Sequence, residues 1–318
     1  MALFQTKKIQ SFIVFIIVLA TILWVFQDNF LKLLAFQKVT ELSASNNEKA
    51  QENSYLEKID NFFLKEYSKE KILLHTIQAD TYYSYKNSPV QILEVEVKTF
   101  NEAQKEGLLL TSNRAEILKS GEMFFNGEVK IQTKTGILHK LDTESLIVLS
   151  ENGQIKSNKE VTYLGEAVRI ISEGMEMNID SDVMYLIGNV QIFEDFGVKI
   201  DTKNLYISHK AGEKKYKSKE ETVYHSKDTI INSESGVDID VNLQLINLLG
   251  KVEVLTSTGG ILKSSNVIID KSNDGEVLKS NSYTHFQSND VDIKAKKMHY
   301  DAITMKLELM NKVVAIYE

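Results

Sequence analysis

The chain has 318 residues, of which 43% are apolar, and it carries a formal net charge of −7. This length and apolar content suffice for one or two domains with a buried core. The acidic balance and the lack of a basic patch argue against nucleic acid or an anionic membrane surface as a partner. The absence of cysteine excludes disulfides, thiol catalysis and thiolate metal sites.

The first candidate element is an uncharged run at residues 11–26, rich in Ile, Val, Leu and Phe and preceded by two lysines. Extended by two residues, it reaches about 18 residues, near the lower limit for crossing a bilayer. The basic flank places the N-terminus in the cytoplasm and the rest of the chain outside. A cleaved signal peptide is the alternative, but Trp24 and Phe26 stand where small residues would mark a cleavage site. We therefore expect a cytoplasmic tip and an uncleaved transmembrane helix within residues 1–28.

Residues 29–59 are predicted to form a tether, because most of them are polar and show no periodic pattern. From about residue 60, short runs rich in β-branched and aromatic residues alternate with turn signals such as Asn152-Gly153. No helix-period stretch of useful length interrupts them. The pattern predicts an all-β body in the form of a sandwich, barrel or solenoid.

The body is built from a repeat of about 62 residues. The aligned segments are FFNGEVKI (124–131), YLIGNVQI (185–192), NLLGKVEV (247–254) and LMNKVVAI (309–316). Equivalent valines fall 61, 62 and 62 residues apart. Two further motif families, one before and one after these segments, keep the same order and nearly the same spacing.

Strand alternation assigns the Val and Ile columns of the repeat to an interior and the polar residues between them to solvent. The residues expected to face the interior are Phe125, Val129, Ile131, Leu186, Val190, Ile192, Leu248, Val252, Val254, Val314 and Ile316. The spacing alone leaves open whether this interior is a filled core or an apolar groove.

A glycine in the middle of each of the first three segments, at Gly127, Gly188 and Gly250, predicts a bulge or bend there. The fourth segment carries Lys312 instead. We therefore expect the last repeat to be less bent or to act as an end cap.

No pattern for catalysis or for a metal or cofactor is present in the sequence. The six histidines are scattered without HxH or HExxH spacing, which argues against a metal site. The glycines at Gly259-Gly260 lack the spacing of a phosphate-binding loop and predict a turn. Carboxylate pairs such as Asp238 and Asp240 fall on one strand face, as solvated residues do. We expect the protein not to be an enzyme.

Residues 67–192 resemble the LptC family, the bitopic periplasmic components of the lipopolysaccharide exporter. The segments that carry the resemblance are LLHTIQADTYYSY (73–85), EVKTFNEAQKEGLLLTSNRAEI (96–117), MFFNGEVKI (123–131) and residues 157–192. Residues 60–195 are thus identified as an LptC-like segment, with residues 61–67 as its first strand. Residues 196–318 repeat its motifs and resemble LptA, the soluble bridge protein of the same OstA-like β-jellyroll family.

The resemblance implies one or more extended, twisted and partly open β-jellyrolls whose apolar interior holds lipid A acyl chains. It implies a single-pass inner-membrane protein with its body in the periplasm. Its partners would be lipopolysaccharide, an inner-membrane ABC transporter complex, and a periplasmic or outer-membrane β-jellyroll partner stacked edge to edge near residues 313–317.

The function implied is that of a lipid-transfer bridge. Exposing an acyl chain of about a dozen carbons to water costs about 10 kcal/mol, so crossing the periplasm requires apolar shielding. The alternative is a membrane-anchored periplasmic β-solenoid scaffold with a filled core and no lipid cargo. An extracytoplasmic hydrolase is a third hypothesis.

Overall fold

The computed structural model describes residues 55–101, 103–134, 139–149, 154–165, 167–178, 183–194, 197–209, 213–227, 229–256, 259–272 and 275–317. These residues form β-strands and their connections, which confirms the predicted all-β class. No helix in these ranges has the length and apolar character needed to cross a bilayer. The predicted anchor at residues 1–28 lies outside them.

The described strands fall into two compact units. The first unit holds β1 (Glu57–Tyr67), β2 (Leu73–Ser84), β3 (Val90–Phe100), β4 (Glu106–Ile117), β5 (Met123–Thr133), β6 (Lys140–Leu149) and β7 (Gln154–Ser157). The second unit holds β8 (Val161–Leu164), β9 (Val168–Asn178), β10 (Val183–Glu194), β11 (Lys199–Ser208), β12 (Lys215–Ser218), β13 (Thr222–His225), β14 (Thr229–Ser233), β15 (Val237–Asp240), β16 (Leu245–Thr256), β17 (Ile261–Asp270), β18 (Val277–Ser280), β19 (Thr284–Ser288), β20 (Val291–Ala295), β21 (Lys297–Asp301), β22 (Lys306–Met310) and β23 (Val314–Tyr317).

The units divide between Lys159 and Glu160, apart from residues 178–180, which group with the first unit. The boundary predicted between residues 195 and 196 is a different one. It lies between the LptC-like and the LptA-like segments of the sequence, and it stays a prediction.

In the first unit, each strand from β1 to β7 pairs antiparallel with the next one along the chain. Strand β1 begins at Glu57, so the last three residues of the predicted tether, 57–59, belong to a strand instead. Along β1, Phe62, Leu64 and Glu66 are more buried than the residues between them. This two-residue period explains the strand, because a helix would have scattered these side chains over different faces.

In the second unit, the strands form two layers, and five long strands (β9, β10, β11, β16 and β17) run through both. In β16, for example, Leu245–Leu248 pairs with β15 and Val252–Thr256 pairs with β14. Strands β12, β15, β18, β21 and β22 complete the first layer. Strands β8, β13, β14, β19, β20 and β23 complete the second layer. This exchange of strands between two antiparallel layers is the β-jellyroll arrangement predicted from the sequence.

The long strands bend where they pass from one layer to the other. Gly188 and Gly250 have φ angles of 79° and 74°, and the pairing register shifts at both. The predicted bulges are therefore confirmed. The prediction of a less bent last repeat is wrong: Lys312 adopts a φ of 55°, and the chain passes between the layers there, from β22 to β23.

Buried hydroxyl groups tie the two layers together at these bends. Thr202 Oγ1 lies 3.0 Å from Ser218 Oγ at the end of β12 and 2.9 Å from Thr222 Oγ1 at the start of β13. One repeat later, the three equivalent hydroxyls make the same contacts at 3.0 Å each. Since β12 and β13 belong to different layers, each cluster fixes the layers to one another on the bend side.

Candidate functional site

The predicted interior of the second unit is a closed apolar layer between its two β-layers. Its predicted residues are each 2% exposed or less: Leu186, Val190, Ile192, Leu248, Val252 and Val254. They lie on β10 and β16, and the residues that alternate with them are more exposed. The structure therefore brings these six side chains into one core, as the strand alternation predicted.

Three further predicted interior residues lie in the first unit, on β5. Phe125 and Val129 are buried, with exposures of 4% and 0%, and Ile131 is half-buried near the end of the strand. The repeat therefore places equivalent apolar side chains inward in both units.

The interior placement of Val314 and Ile316 is wrong. Both lie on β23 and are 58% and 55% exposed. This last strand pairs with β20 along one edge, and all four of its residues are exposed, so neither face of the strand is covered. The sequence repeat includes these two positions, but β23 is covered on neither face, so both side chains stay in solvent.

On the side opposite the bends, which we call the mouth, the strand ends of the two layers of the second unit meet through polar side chains. Lys271, which follows β17 in the first layer, places Nζ 2.5 Å from Oε2 of Glu194, the last residue of β10 in the second layer. The two side chains are 24% and 20% exposed.

Beneath this ion pair, the carboxyl of Glu276, just before β18, lies near the hydroxyl of Tyr224 on β13. Burial raises the pKa of the Glu276 carboxyl, and the same cause, with the nearby carboxylates, raises the pKa of the Tyr224 hydroxyl. Tyr224 is fully buried. The mouth is thus closed by one ion pair near the surface, with the Tyr224 hydroxyl and the Glu276 carboxyl beneath it.

In the last repeat, the interior opens into a pocket. Its wall is apolar and drawn from both layers: Val254, Leu262, Leu278, Phe286, Met298, Tyr300, Met305 and Leu307, with Thr256 at the edge. Thr256 and Phe286 stand one repeat after Glu194 and Tyr224. A threonine cannot form an ion pair and a phenylalanine has no hydroxyl, so these two positions do not reproduce the ion pair or the tyrosine hydroxyl of the mouth.

The contacts at the mouth were not predicted from the sequence. An aromatic column formed by Tyr163, Tyr224 and Phe286, spaced 61 and 62 residues apart, was available to the same self-comparison that found the valine columns. The pairing of Lys271 with Glu194 left no such signal, because it joins different positions of different repeats.

The first unit contains a buried titratable pair of its own. Glu66 on β1 and His75 on β2 are register partners, and Oε2 of the glutamate lies 2.5 Å from Nε2 of the histidine. Burial raises the pKa of Glu66 to about 7 and lowers the pKa of His75 to about 4. The pair therefore holds one proton, on the glutamate, between about pH 4 and pH 7. Among the residues the structure describes, no cluster of three or more acidic or histidine side chains has the geometry of a metal site.

A comparison with protein-family models gives one match, to the model described as "Lipopolysaccharide-assembly, LptC-related", over residues 12–195. This range covers more than half of the chain. A search of curated proteins found no match. The chain therefore belongs to the LptC-related family, envelope proteins of the periplasmic space with a role in lipopolysaccharide transport.

Proposed function

We propose that this chain is an inner-membrane-anchored bridge component that receives lipopolysaccharide from an ABC transporter and passes it through its jellyroll interior toward the outer membrane. The observation that carries the proposal is the apolar interior itself. The same valine position of the repeat is buried at Val129, Val190 and Val252, which are 61 and 62 residues apart, so each of these repeats offers a similar apolar site.

Similar successive sites suit transfer because the free energy of the cargo changes little from one to the next. Burying one CH₂ group lowers the free energy by about 0.8 kcal/mol, so an acyl chain inside the protein is strongly retained. It can move from one apolar site to a similar one without being exposed to water. The direction of movement must then come from a partner. Family members are transport components, not enzymes, and the energy would be supplied by the ATPase of the transporter.

Family membership implies interaction with other proteins of the lipopolysaccharide transport system. We place one such interaction at β23. Its exposed residues Val314, Ile316 and Tyr317 offer apolar side chains beside a strand edge, which another β-jellyroll could extend by strand addition. The family match ends at residue 195, so residues 196–318 are an extension beyond it, for which we propose the role of an LptA-like bridge segment.

One observation favours a second candidate. The six predicted interior residues on β10 and β16 are each 2% exposed or less, as in a filled core. A membrane-anchored scaffold that only holds its partners in place would need nothing more. The proposal therefore requires the two layers to part when lipid enters.

The test is photo-crosslinking in cells, with a photoreactive residue placed at Ile192 or at Val252 and adducts probed for lipopolysaccharide. Asn189 and Lys251 are matched controls because they lie on the same strands but are exposed. Adducts at both interior positions and at neither control would support a conduit through the second unit. If a folded, anchored protein gives no adduct at either interior position, the scaffold function replaces the proposed one.

A further inference from the structure

The two layers of the second unit can separate on only one side. On the bend side they share continuous backbone through the long strands, and the buried clusters around Thr202 and Ser264 link them by hydroxyl contacts. On the mouth side, strands of the two layers end in separate turns. Any opening of the interior must therefore begin at the mouth.

The ion pair of Lys271 and Glu194 joins two separately anchored turns. The backbone N–H of Lys271 donates to the carbonyl of Gln244 at 3.0 Å, which fixes it within the first layer. The backbone N–H of Glu194 donates to the carbonyl of Val198 at 3.0 Å, within the second layer. The side-chain contact is thus a link between layers and does not stabilise a single turn.

The exposure of this pair makes the link reversible. Both side chains remain in contact with water, so the charges can be solvated when the contact breaks. A fully buried ion pair would not behave in this way, because separating it leaves uncompensated charges in an apolar surrounding. Beneath it, Tyr224 and Glu276 complete the closure and would become hydrated on opening.

The last repeat has different residues at these positions and a different interior. Thr256 replaces the glutamate and Phe286 replaces the tyrosine, and there the interior widens into the apolar pocket. The interior is closed beside the Lys271–Glu194 ion pair. The pocket lies where Thr256 and Phe286 take the places of the glutamate and the tyrosine.

We propose that Lys271 and Glu194 form a latch across the mouth, which keeps the interior of the second unit closed and opens to admit an apolar chain. The part of this inference that concerns the admitted chain rests on the proposed function. The part that concerns opening does not.

The latch can be tested without lipid, because the chain has no cysteine. A single cysteine at Ile192, two residues from Glu194, reports access to the interior through its rate of maleimide labelling in the full-length protein. We expect Lys271→Gln to raise that rate at least fivefold. The matched control is Lys279→Gln, which breaks the Lys279–Asp270 pair at 2.8 Å within a single layer and should leave the rate unchanged.

A second reporter separates opening at the mouth from general loosening. A cysteine at Leu248, which is fully buried next to the bend at Gly250, should label slowly in all variants. The latch is disproved if Lys271→Gln leaves the labelling of the Ile192 reporter unchanged, or if it raises both reporters alike.

The lipid step has its own readout. A photoreactive residue at Val252 in the Lys271→Gln background should form adducts with added purified lipopolysaccharide faster than in the parent. Joining cysteines at positions 194 and 271 with a cleavable bis-maleimide should suppress the adducts until the link is cleaved. If labelling shows the mouth opening but no variant forms adducts, the latch stands and the proposed function fails.

Discussion

The backbone N–H of Gly250 donates a hydrogen bond to Oδ1 of Asn266 at 2.9 Å, across the bend between β16 and β17. Both residues have positive φ angles, 74° and 51°. The same bond joins Gly188 to Asn204 at 3.1 Å one repeat earlier. Each bend is therefore a matched pair of left-handed residues on neighbouring strands, with the amide side chain of one satisfying the backbone of the other.

Gly250→Ala should destabilise the second unit more than Gly259→Ala, although both glycines have a positive φ angle. A Cβ at this position would lie 2.7 Å from Cβ of Ser235, whose own backbone is hydrogen-bonded to Leu249. Overpacking of this kind typically costs about 1–3 kcal/mol, in addition to about 1 kcal/mol for a side chain in the left-handed region.

Gly259→Ala is the matched control, because Gly259 has a φ of 82° with no atom within 4 Å of the added methyl group. Thermal unfolding of the full chain should show a melting temperature several degrees lower for Gly250→Ala than for Gly259→Ala. Equal melting temperatures would mean that Ser235 moves aside and that the bend is not tightly packed.

The buried hydroxyl cluster of the last complete repeat gives a second prediction. Thr284 is fully buried, and its Oγ1 lies 3.0 Å from Oγ of Ser264 and 3.1 Å from the carbonyl of Ser282. Thr284→Val keeps the shape and removes these contacts, which should cost about 1–3 kcal/mol because buried polar partners lose hydrogen bonds. Thr284→Ser keeps the hydroxyl and should lose less. A valine variant that melts at the parent temperature would show that the cluster does not hold the layers.

Much of the architecture was predictable because a strand repeat fixes both the spacing of equivalent strands along the chain and the side of the sheet to which each side chain points. The bends at Gly188 and Gly250 and the burial of Val190 and Val252 follow from one aligned segment. The faces could be assigned because side chains alternate along a strand, so each buried position determines its neighbours.

The failures have a common physical cause. Val314 and Ile316 match the repeat but lie exposed, because burial depends on what covers the strand, and the sequence pattern of a strand does not show whether its faces are covered. Lys312 adopts the positive φ angle that glycine has in the earlier repeats, because the chain passes from one layer to the other at this residue. The contact of Lys271 with Glu194 depends on how two layers meet, and no local pattern encodes that relation.

The Glu66–His75 pair leads to a prediction about pH. In the unfolded chain, His75 takes up a proton below about pH 6.5 and Glu66 loses one above about pH 4.5. The folded pair also holds one proton across this window, since the pKa of Glu66 is raised to about 7 and that of His75 is lowered to about 4. Folded and unfolded states then bind equal numbers of protons, and the pair adds no pH dependence between pH 4.5 and 6.5.

Glu66→Gln should create a pH dependence in that window. With the glutamate gone, the depressed pKa of His75 acts alone, so the unfolded state binds more protons as the pH falls from 6.5 toward 4. Stability should therefore fall with decreasing pH, by up to about 3 kcal/mol over the window. Thermal unfolding at half-unit pH steps measures it, with the exposed Glu128→Gln as control. Parallel curves for Glu66→Gln and the parent would contradict the shared-proton arrangement.

The exposed C-terminal strand yields a prediction about assembly. Val314→Lys with Ile316→Lys should leave the fold intact, because both side chains are exposed, but should block strand addition at β23 by placing charges beside the edge. The measurement is in-cell photo-crosslinking from Tyr317 to other proteins of the lipopolysaccharide transport system, which the double variant should reduce at least tenfold. Ile230→Lys with Ile268→Lys is the matched control, since these isoleucines are 41% and 36% exposed on β14 and β17, away from that strand. If the β23 variant crosslinks as well as this control, these proteins bind a different surface, and the exposed apolar side chains of β23 have no part in the interaction.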